Sequence, residues 1–483
     1  MATGFRVKNV QYNNIMEIKF RKKREEVREP VSEDYISVGL DIGTTKVVVF
    51  VGKRVQNSDK VEILGQGETI SVGVQRGQVI NIAQTVTAIA HAIKQACAVT
   101  HLVIEDVVVG IAGQHINSFH SKQEIKRKNP DNLVSAEDVR QLIDEVFMVN
   151  VRPGTKIIDA IPQEFFVDEY HDLVDPIGVT GTQLGSDFNI ITGSDQHIRN
   201  VIRCVKQCDL KMDGLILEPL ASAAVVLDAR EKESGVALVD IGGGTTDLAI
   251  FHNGILRHTA VIPIGGDVIT DDIKNVFKGI VKEDAERIKK EYGTCVKDTS
   301  KEMVLAVSGI KGRPAVEIKR SELTDVILAR LDEIIARIME EIRNSGYAQK
   351  LGCGIVLTGG GSLLQNIKPY MEFQTGMCVR IGLPEEGIVF NEDTKHKYNN
   401  PIYSTALGLM LMGVERNDIR PMDDEQETPA VTQRETSVPD QEPKQRGKDG
   451  SGSYTWNKVK EVFANFFIPD EGADDDDEGE PFR

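Results

Sequence analysis

From Ile36 onward the chain alternates between two hydrophobic rhythms. Apolar runs over 37–51 and 60–67 predict buried strands. Val86, Ile89, Ala90, Ile93 and Cys97 recur at three- and four-residue spacing and predict a helix over 82–99 with those residues on one face. The segment EDVVVGIAG at 105–113 reads as another buried strand. Ser135, followed three residues later by Asp138, predicts a capping box that opens a helix near 136–148. Strand patterns return at 155–168 and 187–193, then come a helix over 195–208, the strand GLILE and the small-residue helix PLASAAVVL. The second half continues with strands flanking residue 240, a third at 254–262, and a helix opened by Gly265, Gly266 and Asp267. Two helical stretches around a short β-like patch fill 281–345, followed by a strand at 353–358 and a helix over 401–413. Strands alternating with helices predict an α/β fold. Past Val414 the rhythm stops, and residues 414–452, rich in Pro, Gln, Glu and Thr, read as a flexible linker.

One unit occurs twice within this pattern, 199 positions apart: VGLDIGTTKVVVFVG around Asp41 and VALVDIGGGTTDLAIF around Asp240. Each is an apolar strand, an Asp-Ile-Gly turn and a second apolar strand. Gly43, Gly242, Gly243 and Gly244 let backbone N–H groups approach phosphate oxygens, and Thr44, Thr45, Thr245 and Thr246 add hydroxyl donors. Asp41 and Asp240 would repel phosphates directly, so they make sense with a hydrated Mg²⁺ between them and the phosphates. Lys46 could neutralise the terminal phosphates. One such turn is equally well an ordinary hairpin, but two in the same frame imply similar half-domains facing each other across a nucleotide. Neither is a Walker loop or a Rossmann fingerprint, which run a strand straight into a helix.

Beyond the linker, residues 453–468 (SYTWNKVKEVFANFFI) change the picture again. At about 100° per residue, Trp456, Val459, Val462, Phe463, Phe466 and Phe467 fall on one helical face. Lys458 and Lys460 are the two basic residues available to anionic headgroups. An aromatic helix on a tether is expected to lie in a membrane interface, with docking into a partner's groove or folding back onto the body as alternatives. The acidic run Asp474–Glu478 works against an anionic surface.

At 483 residues the chain implies two or more domains. Its net charge of −17 argues against nucleic acid as a partner, although residues 470–483 alone carry eight acids against Arg483. Six scattered cysteines make no disulfide framework and suit a reducing cytoplasm. Cys204 and Cys208 share a predicted helix face with no second ligand pair for zinc. No apolar run approaches the roughly 18 residues that span a bilayer.

With these motifs together, the chain resembles the FtsA family of actin-like bacterial cell-division proteins over residues 36–413 and 453–468. DIGTTK and DIGGGTTD resemble the phosphate motifs of the actin superfamily. LTGGGSLL, with Gly359, Gly360 and Gly361, resembles its adenosine motif. EPLASA at 218–223 and PIYSTALGLM at 401–410 resemble its two interdomain connecting helices, and AERIKKEYG resembles its ribose-contacting helix, with Glu286 and Lys289 as candidate contacts. Glu218 falls where filament-forming relatives place the residue that positions the attacking water; its plainer role is to cap the helix begun by Pro219. GIAGQHINSF, IPQEFFVDEY and GVTGTQLGSDFNIIT resemble the family's inserted 1C subdomain and separate the chain from MreB. The pilus-assembly relative PilM shares the insertion type.

The resemblance implies a duplicated actin/hexokinase/heat-shock-ATPase-like core with an inserted 1C-type subdomain, a disordered linker and a C-terminal amphipathic helix. The expected boundaries are a disordered N-terminal arm at 1–34, with Met16 an alternative start, and subdomain 1A at 35–104 and 196–218. The 1C insertion is expected at 105–195, 2A at 219–271, 2B at 272–345, and the return to 2A with the closing helix at 346–413. The linker, amphipathic helix and acidic tail follow at 414–452, 453–468 and 469–483. The implied function is that of a cytoplasmic protein at the septal inner membrane. It would bind ATP and Mg²⁺ with at most weak hydrolysis, polymerise with itself, anchor FtsZ filaments to the membrane and recruit later division proteins. FtsZ's C-terminal peptide would bind 2B, with Arg313, Arg320 and Arg330 as candidate contacts. Two other readings stay open: a small-molecule kinase of the same superfold, and a scaffold whose tail docks on protein rather than lipid.

Overall fold

The computed structural model describes residues 36–415, apart from 57, 59, 298–301, 310 and 312. The expected N-terminal arm, linker, amphipathic helix and acidic tail lie outside the described residues.

Strands β1 (Ile36–Ile42), β2 (Lys46–Arg54) and β3 (Val61–Ile70) form an antiparallel meander. The apolar runs of β1 and β2 are buried because the sheet is covered on both faces. A short ribbon, β4 (Val74–Gln75) and β5 (Gln78–Val79), leads to α1 (Ile82–Thr100). Then β6 (Asp106–Ile111) returns parallel to β1. An excursion follows: β7 (Asn117–Lys126), α2 (Ala136–Val146), β8 (Thr155–Val167), β9 (Tyr170–Leu173) and β10 (Gln183–Ser194). The chain rejoins the first sheet through α3 (Asp195–Gln207) and β11 (Lys211–Leu217), which lies parallel to β6.

Helices α4 (Glu218–Val226) and α5 (Ala229–Ser234) open the second half. A new meander follows, β12 (Val236–Ile241), β13 (Thr246–His252) and β14 (Ile255–Ile262), and then α6 (Gly266–Val276) and α7 (Lys282–Tyr292). The ribbon β15 (Val304–Val307) and β16 (Val316–Lys319) and the long α8 (Arg320–Asn344) form the outer lobe. The chain then adds β17 (Ile355–Thr358), α9 (Ile367–Thr375), β18 (Val379–Ile381), β19 (Ile388–Val389), α10 (Glu392–Tyr398) and α11 (Ser404–Glu415).

The first sheet runs β11-β6-β1-β2-β3, with β19 added outside β3, and the second runs β18-β17-β12-β13-β14. The strands correspond one for one, with the same parallel and antiparallel pairings. The duplication read from two turns thus extends to whole sheets. Helices α4 and α11 cross between the halves at close range. A Cβ on Gly408 would stand 1.9 Å from the carbonyl oxygen of Ala221.

Two expectations are corrected. Residues 106–111 hydrogen-bond within the first sheet, so the insertion begins after Ile111 and not at 105. On α1 Ile89 is buried and Val86, Ile93 and Cys97 pack half-buried against the core as expected, but Ala90 is exposed, and Thr85, Ala88, Ala92 and Ala96 complete the buried face. The close approach of α1 to β3 selects small residues, which size-weighted periodicity undervalues; a Cβ on Gly67 would meet the Ala92 carbonyl at 1.9 Å. The triple glycine runs into a 3-10 turn, Gly360–Leu363, before α9 begins.

The insertion has its own core, including Val139, Leu142, Phe165 and Phe188. The predicted capping box on α2 is present. It docks on the second half through β14. Arg257, 3% exposed, donates to both carboxylate oxygens of Glu164 (2.9 and 2.5 Å), and Gln163 Nε2 donates to the Leu256 carbonyl at 3.0 Å. Cys204 and Cys208 turn toward the Ile82 and Val86 carbonyls of α1, and burial pushes both thiols up to about 11, which disfavours thiolate ligation.

Candidate nucleotide site between the duplicated halves

Asp41 and Asp240 stand at equivalent places, one residue before the ends of β1 and β12, and the turns that follow touch. A Cβ on Gly243 would lie 2.1 Å from Thr45 Oγ1, so only glycine permits this approach. Thr44 Oγ1 accepts a hydrogen bond from the Gly77 N–H at 3.0 Å. The third glycine turn closes on the second. Gly359 has a φ of +79°, and a Cβ there would stand 2.2 Å from Asp240 Oδ1. Gly361 lies against Ile241, while Gly360 has open space up to Ile402. Residues 218–223 and 401–410 reach the same place, since Asp240 Oδ2 accepts from Ser222 Oγ at 2.8 Å and Thr405 Oγ1 at 3.4 Å.

Register adds a residue that the sequence reading missed. Asp247 lies directly opposite Asp240 across β12 and β13, which puts two carboxylates on one face. Like charges so placed repel. The signal was the final acid of DIGGGTTD, which the turn's length places opposite the first. Thr245 Oγ1 donates to Asp247 Oδ2 at 3.1 Å, and Asp247 Oδ1 is buried without a partner. Burial, and then the neighbouring carboxylates, push Asp41 up to about 7 and Asp247 up to about 8. Glu218 is raised well above the usual range by burial and by Asp41, Asp247 and Asp240. Asp240 is raised by burial, offset in part by the Ser222 and Thr405 hydroxyls.

Lys46 faces this cluster. Burial lowers its pKa against the opposing pull of Glu68 and Asp41, and its Nζ is buried with no hydrogen-bond partner. Orphaned carboxylate and ammonium atoms beside three glycine turns suit a polyphosphate with a divalent cation. Among the described residues no three His, Cys, Asp or Glu groups converge closely enough to hold a metal directly. Asp41 and Asp240 would therefore reach Mg²⁺ through its waters.

One predicted residue, Thr246, is turned away from the turn. Thr246 is fully buried and spends its hydroxyl on the Ile264 carbonyl at 2.8 Å, so it cannot donate to a phosphate; strand alternation turns it inward. Glu286 and Lys289 pair at 2.6 Å on α7. Lys289 Nζ also donates to the carbonyl of Gly266 at 2.8 Å, and the Gly266 N–H in turn donates to the Gly242 carbonyl of the second turn. Glu218 occupies the first turn of α4, whose N-cap residue Leu217 supplies no side-chain cap. Its side chain walls a small pocket with Gln78, Gly110, His115 and His197. Arg330 is engaged by Asp272 at 2.7 Å and by Glu333, and Arg320 by the Tyr292 carbonyl at 3.0 Å and Gln365 at 2.7 Å; Arg313 is exposed. Trp456, Lys458, Val459, Lys460, Val462, Phe463, Phe466 and Phe467 lie outside the described residues.

Comparison with known proteins agrees with this architecture. Residues 237–408 match the family model "Cell division protein FtsA", and residues 113–192 match "SHS2 domain inserted in FTSA", an interval that begins just past β6. The chain is 39% identical over 379 residues to the cell division protein FtsA of Neisseria meningitidis serogroup B, covering 78% of this chain and 89% of that protein. It is 34% identical over 386 residues to FtsA of Escherichia coli K12, covering 78% and 90%. In fold it is similar to the PilM-PilN type IV pilus biogenesis complex, with a TM-score of 0.57 at 17% identity, covering 78% of this chain and 98% of that one. MreB5 of Spiroplasma citri bound to ADP gives a TM-score of 0.50 at 16% identity, covering 80% and 99%. An actin-like duplicated core, the inserted subdomain and the identity over most of both chains together establish that this chain belongs to the FtsA family of cell-division proteins.

Proposed function

We propose that the chain binds ATP with Mg²⁺ between its halves, assembles with copies of itself, and anchors FtsZ filaments to the cytoplasmic face of the membrane at the division septum. The observation that carries the nucleotide reading is the group of four closely placed carboxylates, Asp41, Glu218, Asp240 and Asp247, all pushed up by burial, facing Lys46 where three glycine turns meet. Such a group is costly in isolation and becomes favourable when a divalent cation enters. Asp41 and Asp240 would hold the hydrated ion, backbone N–H groups of the glycine turns and Lys46 would hold the phosphates, and Glu218 would orient a water. Bound Mg²⁺ would supply charge neutralisation. Asp240→Ala should abolish binding of a fluorescent ATP analogue; unchanged binding refutes this placement of the metal.

The tethering part rests on the amphipathic pattern of 453–468 and on family membership. In liposome flotation, the full chain should float with anionic vesicles and a version ending at Gly452 should not. If neither floats, the tail docks on protein or folds back onto the body instead. Trp456→Glu should release the protein from membranes in fractionated cells.

A further inference from the structure

Lys46 is held in an unusual way for a buried cation. It sits diagonally from Glu68 on the same face of the β2–β3 pair, because Val48 lies opposite Glu68 and Lys46 opposite Ile70. Yet Lys46 Nζ stops 3.8 Å short of Glu68 Oε2 and makes no hydrogen bond. Glu68 Oε2 already accepts from Gln66 Nε2 at 2.9 Å and from the Tyr403 hydroxyl at 2.9 Å. With that oxygen's lone pairs occupied by neutral donors, the ammonium rests instead over the face of the Tyr403 ring, 3.9 Å from its centroid. The ring is itself fixed edge-on against Phe50, with centroids 5.4 Å apart. Glu68 and Tyr403 thus keep a positive charge in place while leaving its donors free.

Tyr403 also stands at the head of α11. Its neighbour Ser404 hydrogen-bonds Thr358 at 2.7 Å, Thr405 reaches Asp240, and the Pro401 carbonyl accepts from the Gly359 N–H at 3.3 Å. One short segment therefore touches Lys46 of the first turn, Asp240 of the second and the strand and turn of the third.

We propose that Glu68 and Tyr403 are positioning residues that hold Lys46 ready for the terminal phosphate of a nucleoside triphosphate, and so set the preference for triphosphate over diphosphate. This rests on the nucleotide-site reading above. Removing the Tyr403 hydroxyl frees a lone pair of Glu68, and Lys46 closes onto it as a direct ion pair that the terminal phosphate must then displace. Removing the Glu68 charge leaves the buried ammonium with Asp41 as its one remaining carboxylate, opposed by Lys290, so it deprotonates at lower pH.

The test measures the affinity of the full chain for fluorescent ATP and ADP analogues from pH 6 to pH 10, in wild type, Tyr403→Phe, Tyr403→Leu, Glu68→Gln and Lys46→Met. Lys46→Met should lower the ATP-to-ADP preference by roughly tenfold, the loss of one charge-assisted hydrogen bond. Tyr403→Phe should lower it part of the way and Tyr403→Leu further, with ADP affinity retained. Glu68→Gln should move the alkaline loss of ATP preference to lower pH, a change that a purely structural role would not produce. Wild-type preference in both Tyr403→Phe and Tyr403→Leu, or an unmoved alkaline limb in Glu68→Gln, overturns the proposal while leaving the nucleotide site standing. Failure of the wild type to bind either analogue overturns both.

Discussion

At the scale of single residues, the site is an arrangement of charges that the protein alone does not neutralise. Asp247 illustrates the consequence. Its carboxyl titrates near 8 in the fold, against an ordinary value of 3.8, so the folded state holds a proton that the unfolded chain has released. The contribution of Asp247 to stability is therefore fully present below the unfolded value and declines as pH rises toward 8. Asp41, pushed up to about 7, acts in the same direction. Asp247→Asn should leave the metal-free protein more stable than wild type at pH 8, with the gap shrinking toward pH 5, as measured by thermal melts in EDTA. A constant gap across that range would mean that Asp247 is not protonated in the fold. Asp41, Asp240 and Lys46 were legible in the sequence because their motifs are local. Asp247 and Glu68 were not, because their part depends on cross-strand register.

At the scale of elements, the fold depends on backbone contacts too close for side chains. Gly408→Val would drive a branched side chain into the carbonyl of Ala221 on the crossing helix. Overpacking of this kind costs about 1–3 kcal/mol or more, read as a lowered urea midpoint. A melt unchanged from wild type would show that α4 and α11 can separate freely. Element types followed from apolar runs and helical spacing, and the capping box on α2 followed from Ser135 and Asp138 alone. The small buried residues of α1 and the start of the insertion did not. The first depends on Ala88, Ala92 and Ala96 being selected for close approach to β3, and the second on β6 pairing with strands distant in sequence.

On the scale of the whole molecule, the described residues join two sheets that share one five-strand topology and an inserted lobe fastened to the second half by Glu164 and Arg257. Glu164→Ala would strand a guanidinium whose side chain is 4% exposed. The cost should be roughly 2 kcal/mol in equilibrium unfolding, less than for a fully buried pair because Glu164 itself is partly exposed. No loss of stability would show that the lobe docks through its other contacts. The duplication was legible from two turns, whereas the docking of the insertion onto β14 was not, since nothing local marks Arg257 as the partner of a residue 93 positions away.

The most direct measurement is titration calorimetry of the full chain with ATP at pH 7, with and without Mg²⁺, in buffers of different ionisation enthalpy. Binding should require Mg²⁺ and release protons, because the cation favours the ionised forms of carboxyls that burial holds partly protonated. Equal affinity without Mg²⁺, or binding with no proton release, would contradict the assignment of this carboxylate group as the metal–nucleotide site.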